Sequence, residues 1–532
     1  MEKNIKQSSK LIIIKIVKDH WKELIAAVIF AFILYSVMIT NELTNTYDGM
    51  WKGVYGYAGA WELSIGRWFW LTLDRVRLGV TTEPGISLLS LLIFSVGNII
   101  VADLLQIQGK LSKIIFHTFM LANTAVCIFL SYRYMTLTFA FSYLLSVLGA
   151  LAIISMYQYN CNKIVYSILA VVFITLSLGL YQANIGCTFV MLLVVLIKNL
   201  WINQNNSIKH YIKIMIHAIL LIGCACIAYA GIWNLCLSLM HVEKGNYHGA
   251  GSVSVFSILS KLPKTIHLTY TSFCAYFLPG QWQNIYQAHY IFSAAVFILF
   301  IIIIIYSIFN RTKWSYKILS LISIILLPLL ANTCLLLAPE SGSMQLQMTM
   351  PMAMIIPGIF GLISSIDKKD HNLKLATPVS IIYFMFVIFI AFGNIMMVST
   401  DQHVMLQSKN NSITLMNRII TNTSEELNAA NENNMPVIFA GTPANSPLYQ
   451  KDLFWDKSNH FAHYGEFWIG GNCITQSYYG FLRDCGININ LLTDDQKYHQ
   501  ITDSQEVQKM PMYPRNGYAK EIDGCLVIKI SQ

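Results

Sequence analysis

Eleven apolar stretches of membrane length punctuate this chain, and they constrain its fold more than any other feature. They run approximately 24–40, 85–107, 114–131, 135–156, 164–181, 185–200, 214–240, 288–308, 316–337, 345–366 and 377–398. The tight turn at 181–184 leaves that count open by one pair. With 55% hydrophobic and 12% charged residues, against about a quarter charged in soluble domains, the chain reads as an integral membrane protein. The net charge of +9 forms no continuous basic patch, so no nucleic-acid partner is expected.

Basic residues mark alternate loops: Lys110 and Lys113; Lys163; Lys198, Lys209 and Lys213; Arg311, Lys313 and Lys317; Lys368, Lys369 and Lys374. These belong on the cytoplasmic side, with the N-terminus. Residues 1–22 read as a basic juxtamembrane helix at membrane lipids, 23–398 as the polytopic domain, and 399–532 as an extracytoplasmic domain. No A-x-A-like site follows the first apolar stretch, so it reads as a retained anchor. The expected class is mainly α and polytopic, with a small C-terminal α/β domain. That domain starts with a helix (ITLMNRIITNTSEELNAA), and its strands are expected at PVIFAG, ININLL and CLVIKI. Cys473, Cys485 and Cys525 allow several disulfide pairings there. Most other cysteines lie within apolar runs and act as small hydrophobes.

The first outer loop, 41–84, gathers the chemistry. It reads NTYDGMWKG, then SIGRWFW, then a charged tail with Asp74, Arg75 and Arg77. Tyr47, Trp51, Val54, Ala58, Trp61 and Ile65 recur at helical spacing, with Asp48, Lys52, Tyr55, Gly59 and Glu62 beside them. This predicts an interfacial helix with a polar stripe. Asp48 and Glu62 would stand about 21 Å apart along it, so one carboxylate must work alone unless a glycine breaks the helix. A lone base suits inverting glycosyl transfer, in which a carboxylate takes the proton of the attacking hydroxyl. Arginines suit the leaving phosphate, and Arg67, Arg75, Arg77 and Arg133 are all expected on the outer face. Membrane-edge arginines also snorkel to headgroups, which is the competing reading.

Several chemistries are missing from the sequence. No P-loop, GxGxxG, HExxH or nucleophile-elbow GxSxG stands in its required context. No CxxC pair with metal spacing occurs, and no DxD of a metal-dependent nucleotide-sugar transferase. Neither a metal nor a cofactor is expected. His241, His248 and His267 read as surface histidines. An outer-face transferase needs a donor already carried across the membrane, hence a lipid-linked one.

The pattern TYDGMWKG, SIGRWFW and LSLGLYQANIG resembles the Gtr-type bacterial glucosyltransferases, which decorate O-antigen and related surface polysaccharides. The resemblance covers most of the chain, and GRW and YQ are its most specific elements. It implies a fold of GT-C type in the bacterial cell membrane. It also implies a polyprenyl-phosphate-glucose donor and a polysaccharide or lipid-linked glycan acceptor. Catalytic aspartates of GT-C enzymes follow the first span, where Asp48 stands. Many relatives carry two adjacent acids there, whereas Tyr47 and Gly49 flank Asp48, so Glu42 or Glu62 could assist. Some relatives place an arginine near residue 340, where this chain reads PESGSMQLQM, so Arg67 and Arg133 are favoured as phosphate ligands.

Glu62, Trp68, Tyr181, Gln182 and Glu340 are further substrate-binding candidates. Tyr181 and Gln182 equally suit a role in capping a span, and Glu340 an exposed turn. Trp455, Trp468, Tyr478 and Tyr479 could stack on sugars or fill the C-terminal core. Asp103 is expected at the inner headgroups. The rival readings are a transporter or flippase of lipid-linked sugars, and a polysaccharide polymerase or ligase. The spans carry almost no charges to line a transport path.

Overall fold

The computed structural model describes residues 12–46, 50, 53–107, 109–159, 161–202, 206–247, 255–277, 313–337, 344–366, 376–468 and 476–532. Among them, seven helices are long and apolar enough to cross a membrane. They are Gly85–Leu104, Thr136–Gln158, Lys163–Leu180, Gln182–Leu200, Ile208–Met240, Trp314–Ala331 and Met385–Asn422. The expected span over 288–308 lies outside the described residues. The protein is a mostly helical membrane protein with a small sheet near its C-terminus.

In two of the expected spans that are broken, an amide side chain takes up the freed backbone groups. Lys110–Leu121 and Thr124–Ser131 meet at a 48° bend. At that bend buried Asn123 donates to the carbonyls of Phe119 (3.1 Å) and Met120 (3.0 Å), and accepts from the Val126 N–H (3.0 Å). The first apolar stretch divides into Trp21–Leu34 and Ser36–Thr40. Gln402 closes that break from across the molecule, donating to the Leu34 carbonyl (2.9 Å) and accepting from the Met38 N–H (3.1 Å). An apolar interior offers no water to do either job.

Thr136–Gln158 sits centrally, packed against Lys163–Leu180 and Gly85–Leu104. Hydroxyls join these helices: Ser142 donates to the Ser177 carbonyl (3.1 Å) and Ser177 to the Ser142 carbonyl (2.8 Å). Tyr143 donates to the Asn98 side chain (2.7 Å). Small polar residues at helix contacts allow close approach and are satisfied across the interface.

The change in composition at Ser399 falls within a helix. One helix of 47 residues, Ala376–Asn422, runs through it. At 1.5 Å per residue it is about 70 Å long, more than twice a hydrocarbon core of about 30 Å. No glycine or proline lies between Asn394 and Asn422, so the hydrogen-bond ladder continues while the side chains turn polar. The helix expected from Ile413 is therefore the end of the last span.

Beyond it, β1 (Val437–Ala440), β2 (Ala519–Ile522) and β3 (Cys525–Lys529) form a sheet ordered β1-β3-β2, parallel between β1 and β3 and antiparallel between β3 and β2. Alternate residues feed two cores. Val437, Phe439, Leu526 and Ile528 pack on one face with Tyr478, Phe481 and Met416, while Ile438, Ala440 and Val527 pack on the other with Tyr498 and Ile501. The strand expected at ININLL is reduced to a single bridge between Leu491 and Val437, and β2 was not anticipated. Cys485 and Cys525 are free thiols, so neither is bridged; Cys473 lies outside the described residues.

Replacing Gln402 with Leu strands the Leu34 carbonyl and the Met38 N–H in an apolar interior. The expected loss is about 1–3 kcal/mol, read as a lower thermal midpoint of the detergent-solubilised protein.

Candidate functional site

The loop 41–84 folds on itself and against the C-terminal region. At its start, Thr44 and Asn45 bond Ser131: Thr44 donates its hydroxyl to the carbonyl (2.9 Å), and Asn45 its amide to the hydroxyl (3.0 Å). Thr46 donates to the Glu466 carbonyl (2.9 Å) and accepts, through its own carbonyl, a bond from the Ser477 hydroxyl. Met50 is fully buried in the C-terminal core, and Arg483 donates to its carbonyl (2.7 Å). A Cβ at Gly480 would stand 2.3 Å from that carbonyl, so the loop's approach requires glycine there. Asp48 lies outside the described residues. Its described neighbours along the chain, Thr46 and Met50, are both buried against the C-terminal region.

The continuous interfacial helix expected over 47–65 does not form. Gly53 is left-handed (φ +59°), Tyr55 bridges Val80, residues 53–59 form no helix, and the short helices Ala60–Ser64 and Trp68–Val76 follow. Glycines at 53, 56 and 59 weaken the helix that the aromatic spacing suggests. Glu62 is buried, and its carboxylate accepts the Gly59 N–H (2.7 Å), closing the first turn of the short helix.

Asp74 organises the remainder. Buried, it accepts from the Ala58 N–H (2.6 Å), the Trp70 indole (2.9 Å) and Arg77 Nε (2.7 Å). Arg77 in turn donates to the carbonyls of Val80 (3.1 Å) and Gly56 (3.3 Å). Asp74 and Arg77 are therefore occupied within the loop, whereas Arg75 is exposed.

The two motifs GRW and YQ pack against each other. Gly66 is left-handed (φ +90°), and a Cβ there would stand 2.0 Å from the Tyr229 hydroxyl. Gln182 donates to the Ile65 carbonyl (2.9 Å) and the Tyr229 hydroxyl (3.0 Å), so it both caps and joins. Trp233, from the same helix as Tyr229, donates its indole N–H to the Leu63 carbonyl (2.7 Å). Arg67 lies 5.4 Å from the Tyr181 ring and 5.9 Å from the Trp70 ring. No carboxylate pairs with Arg67 among the described residues, and its Nε is buried without a hydrogen-bond partner. The Trp68 indole N–H and the Tyr181 hydroxyl are likewise buried without partners. Burial holds the Tyr181 phenol well above its ordinary range, with Arg67 pulling the other way, so Tyr181 is a neutral donor.

Arg133 is placed differently. It is 2% exposed, and its guanidinium meets Glu42 (3.2 Å) and Asp484 (3.8 Å). Trp70, which carries the Arg67 guanidinium on its ring, stacks on Tyr134 (5.6 Å), the residue after Arg133. Close by, burial raises the Glu83 carboxyl above its ordinary range; the Ser87 hydroxyl (2.6 Å) and Arg133 oppose that shift.

Glu340 and His248 lie outside the described residues, while His241 and His267 are exposed. Asp103 meets His20 (3.4 Å) at a helix end. Trp455 and Tyr478 are core residues, Trp468 is half-buried, and Tyr479 is exposed beneath Arg483 (5.7 Å). Sequence reasoning missed Tyr229, Trp233 and Asp484, whose roles depend on contacts distant along the chain. It also missed His460, His463 and Glu466, the one grouping with metal-ligand distances among the described residues. Their HxxHxxE spacing was the available signal.

Asp74→Ala leaves the Arg77 guanidinium and the Trp70 indole without their acceptor. The expected loss is about 3–5 kcal/mol, measured as a fall in thermal midpoint and in the yield of monodisperse protein. Arg75→Ala should stay within about 0.5 kcal/mol of the parent.

Comparison with curated proteins and with solved structures gives no match. A family model does match: Glucosyl transferase GtrII, over residues 37–362. That interval holds the loop 41–84, the GRW and YQ motifs, and the helices that join them. More than half of the chain is matched, and the protein belongs to the GtrII family of glucosyl transferases.

Proposed function

We propose that this glycosyltransferase moves a sugar, glucose by its family, from a polyprenyl-phosphate donor to a surface polysaccharide or lipid-linked glycan. The reaction takes place at the outer face of the bacterial cell membrane. The fold is of GT-C type, with eleven spans, a cytoplasmic N-terminus and an extracytoplasmic C-terminal domain. Asp48 takes the proton of the acceptor hydroxyl as that oxygen attacks the anomeric carbon. The bond to phosphate breaks on the opposite side, inverting the configuration.

Arg67 carries this reading. A guanidinium held between aromatic rings, with no carboxylate among the described residues, is ready to accept an anion. The unpartnered Trp68 indole and Tyr181 hydroxyl nearby supply two further donors of the kind a phosphate or sugar oxygen uses. Of the two arginines expected at the phosphate, Arg67 is the better placed, because Glu42 and Asp484 already share the charge of Arg133. Arg133 then serves mainly to hold the base-bearing loop against the C-terminal domain. That domain presents the acceptor beside the segment between Thr46 and Met50.

Asp48→Asn should abolish sugar transfer while the protein still reaches the membrane in normal amount. Normal transfer by that variant, measured with a radiolabelled polyprenyl-phosphate sugar in membranes, would remove Asp48 from the mechanism. Arg67→Ala should lower kcat/KM by about 10²–10³-fold, and Arg67→Lys should recover only part of it because lysine offers a point charge in place of a planar fork. Equal activity in all three forms would move phosphate binding elsewhere. Product analysis separates this reading from its rivals: a single sugar added as a branch, rather than a lengthened chain or a translocated lipid.

A further inference from the structure

Outside the region matched by the family model, the segment HFAHYGE folds into successive three-residue turns. Ala462 N–H donates to the Asn459 carbonyl (2.9 Å), His463 N–H to the His460 carbonyl (3.1 Å), and Glu466 N–H to the His463 carbonyl (3.0 Å). A three-residue repeat sets positions 460, 463 and 466 on one side. Their side chains converge: His460 Nε2 lies 2.9 Å and His463 Nδ1 3.3 Å from the same Glu466 oxygen, Oε2. All three atoms fall within 4.8 Å of one another. Ligand atoms of a tetrahedral ion with bonds of about 2.0–2.1 Å stand about 3.3 Å apart.

The surroundings of His463 add an independent reason for a cation. Its Nε2 lies 2.9 Å from the Trp455 carbonyl, which can only accept, so Nε2 carries the proton. In the neutral ring Nδ1 is then a lone pair facing a carboxylate oxygen, and two acceptors at 3.3 Å need a positive species between them. The ring is also oriented as metal-binding histidines are. Its far nitrogen is tied to a carbonyl, and its face is stacked on Trp455 at 4.0 Å and 15°. Asp401 fixes the start of the turn by accepting from Asn459 N (2.8 Å) and Nδ2 (2.7 Å).

We propose that His460 Nε2, His463 Nδ1 and Glu466 Oε2 bind a divalent transition-metal ion, with Zn²⁺ the best match to two imidazoles and one carboxylate. Water completes the coordination on the side of His460, which is 63% exposed. The Glu466 carbonyl accepts the Thr46 hydroxyl, so the ion fastens the segment on which the loop 41–84 rests. It acts as a structural clasp and takes no part in the transfer step.

The test uses untagged, full-length protein in detergent, stripped with chelator and titrated with Co²⁺. One equivalent should bind with visible ligand-field absorption and be displaced by Zn²⁺. Zn²⁺ should also raise the thermal midpoint of the stripped protein. His460→Ala and Glu466→Gln, at positions where the side chain reaches solvent, should each weaken binding by about 100-fold or more and lose the Zn²⁺-dependent rise. The double variant controls for the other histidines. If parent and double variant bind Co²⁺ alike, or the parent binds none, the site is refuted, and a protonated His463 paired with Glu466 accounts for the geometry.

Discussion

Buried amide side chains close breaks in the helices and tie distant segments together, and the arrangement of the protein depends on them. Asn123 and Gln402 bond backbone groups freed at two helix breaks, Gln182 takes the Ile65 carbonyl at the end of Ala60–Ser64, and Asn332, at the end of Trp314–Ala331, donates to the Thr269 carbonyl within Val255–Phe277. In an apolar interior an unpaired carbonyl costs several kcal/mol, so a break survives only where such a partner reaches it. Three of these bonds also join distant segments: Gln402 links the last long helix to the first, Asn332 donates to the Thr269 carbonyl, and Gln182 ties the YQ turn to the loop 41–84. The same groups that satisfy the backbone therefore position the residues of the proposed site.

The loop 41–84 is held by burial as well as by hydrogen bonds. Met50 is inserted into the C-terminal core, and Asp74 gathers one backbone and two side-chain donors around a buried carboxylate. Removing a partner from such a centre costs more than any single bond in it, because the others lose their acceptor inside the protein. The short chain between Thr46 and Met50 is thus supported from both ends, which suits the base proposed at Asp48, since such a group must meet its substrate at a set distance.

Electrostatics separate the two arginines that sequence alone ranks together. Arg133 is buried with Glu42 and Asp484 close by, an arrangement that neutralises it and fastens the loop. Arg67 stands among aromatic rings, which attract a cation without neutralising it. An anion arriving at Arg67 displaces no carboxylate among the described residues, whereas at Arg133 it would compete with two.

Much of this protein is legible in its residues. Apolar runs of membrane length mark helices because 1.5 Å per residue must cover the hydrocarbon. Short continuous apolar runs mark β1 and β3, whose two faces are both buried, and the GRW and YQ motifs mark the residues that meet. The glycines at 53, 56 and 59 already argue against a continuous helix over 47–65, but the aromatic period there is read more easily than the breaks. Other features have no local signature. Composition suggests a boundary at Ser399, while the backbone, with no glycine or proline to stop it, continues as helix to Asn422. The partners of Arg133, the aromatic surroundings of Arg67, and the joining of Thr46 to Glu466 are contacts between residues distant in sequence. Hydropathy and spacing act along the chain, and so the sequence alone determined a membrane helical protein with a loop rich in charged and aromatic residues. Charge neutralisation and coordination act through space, and so only the tertiary structure decided which arginine meets two carboxylates and which histidines face one carboxylate.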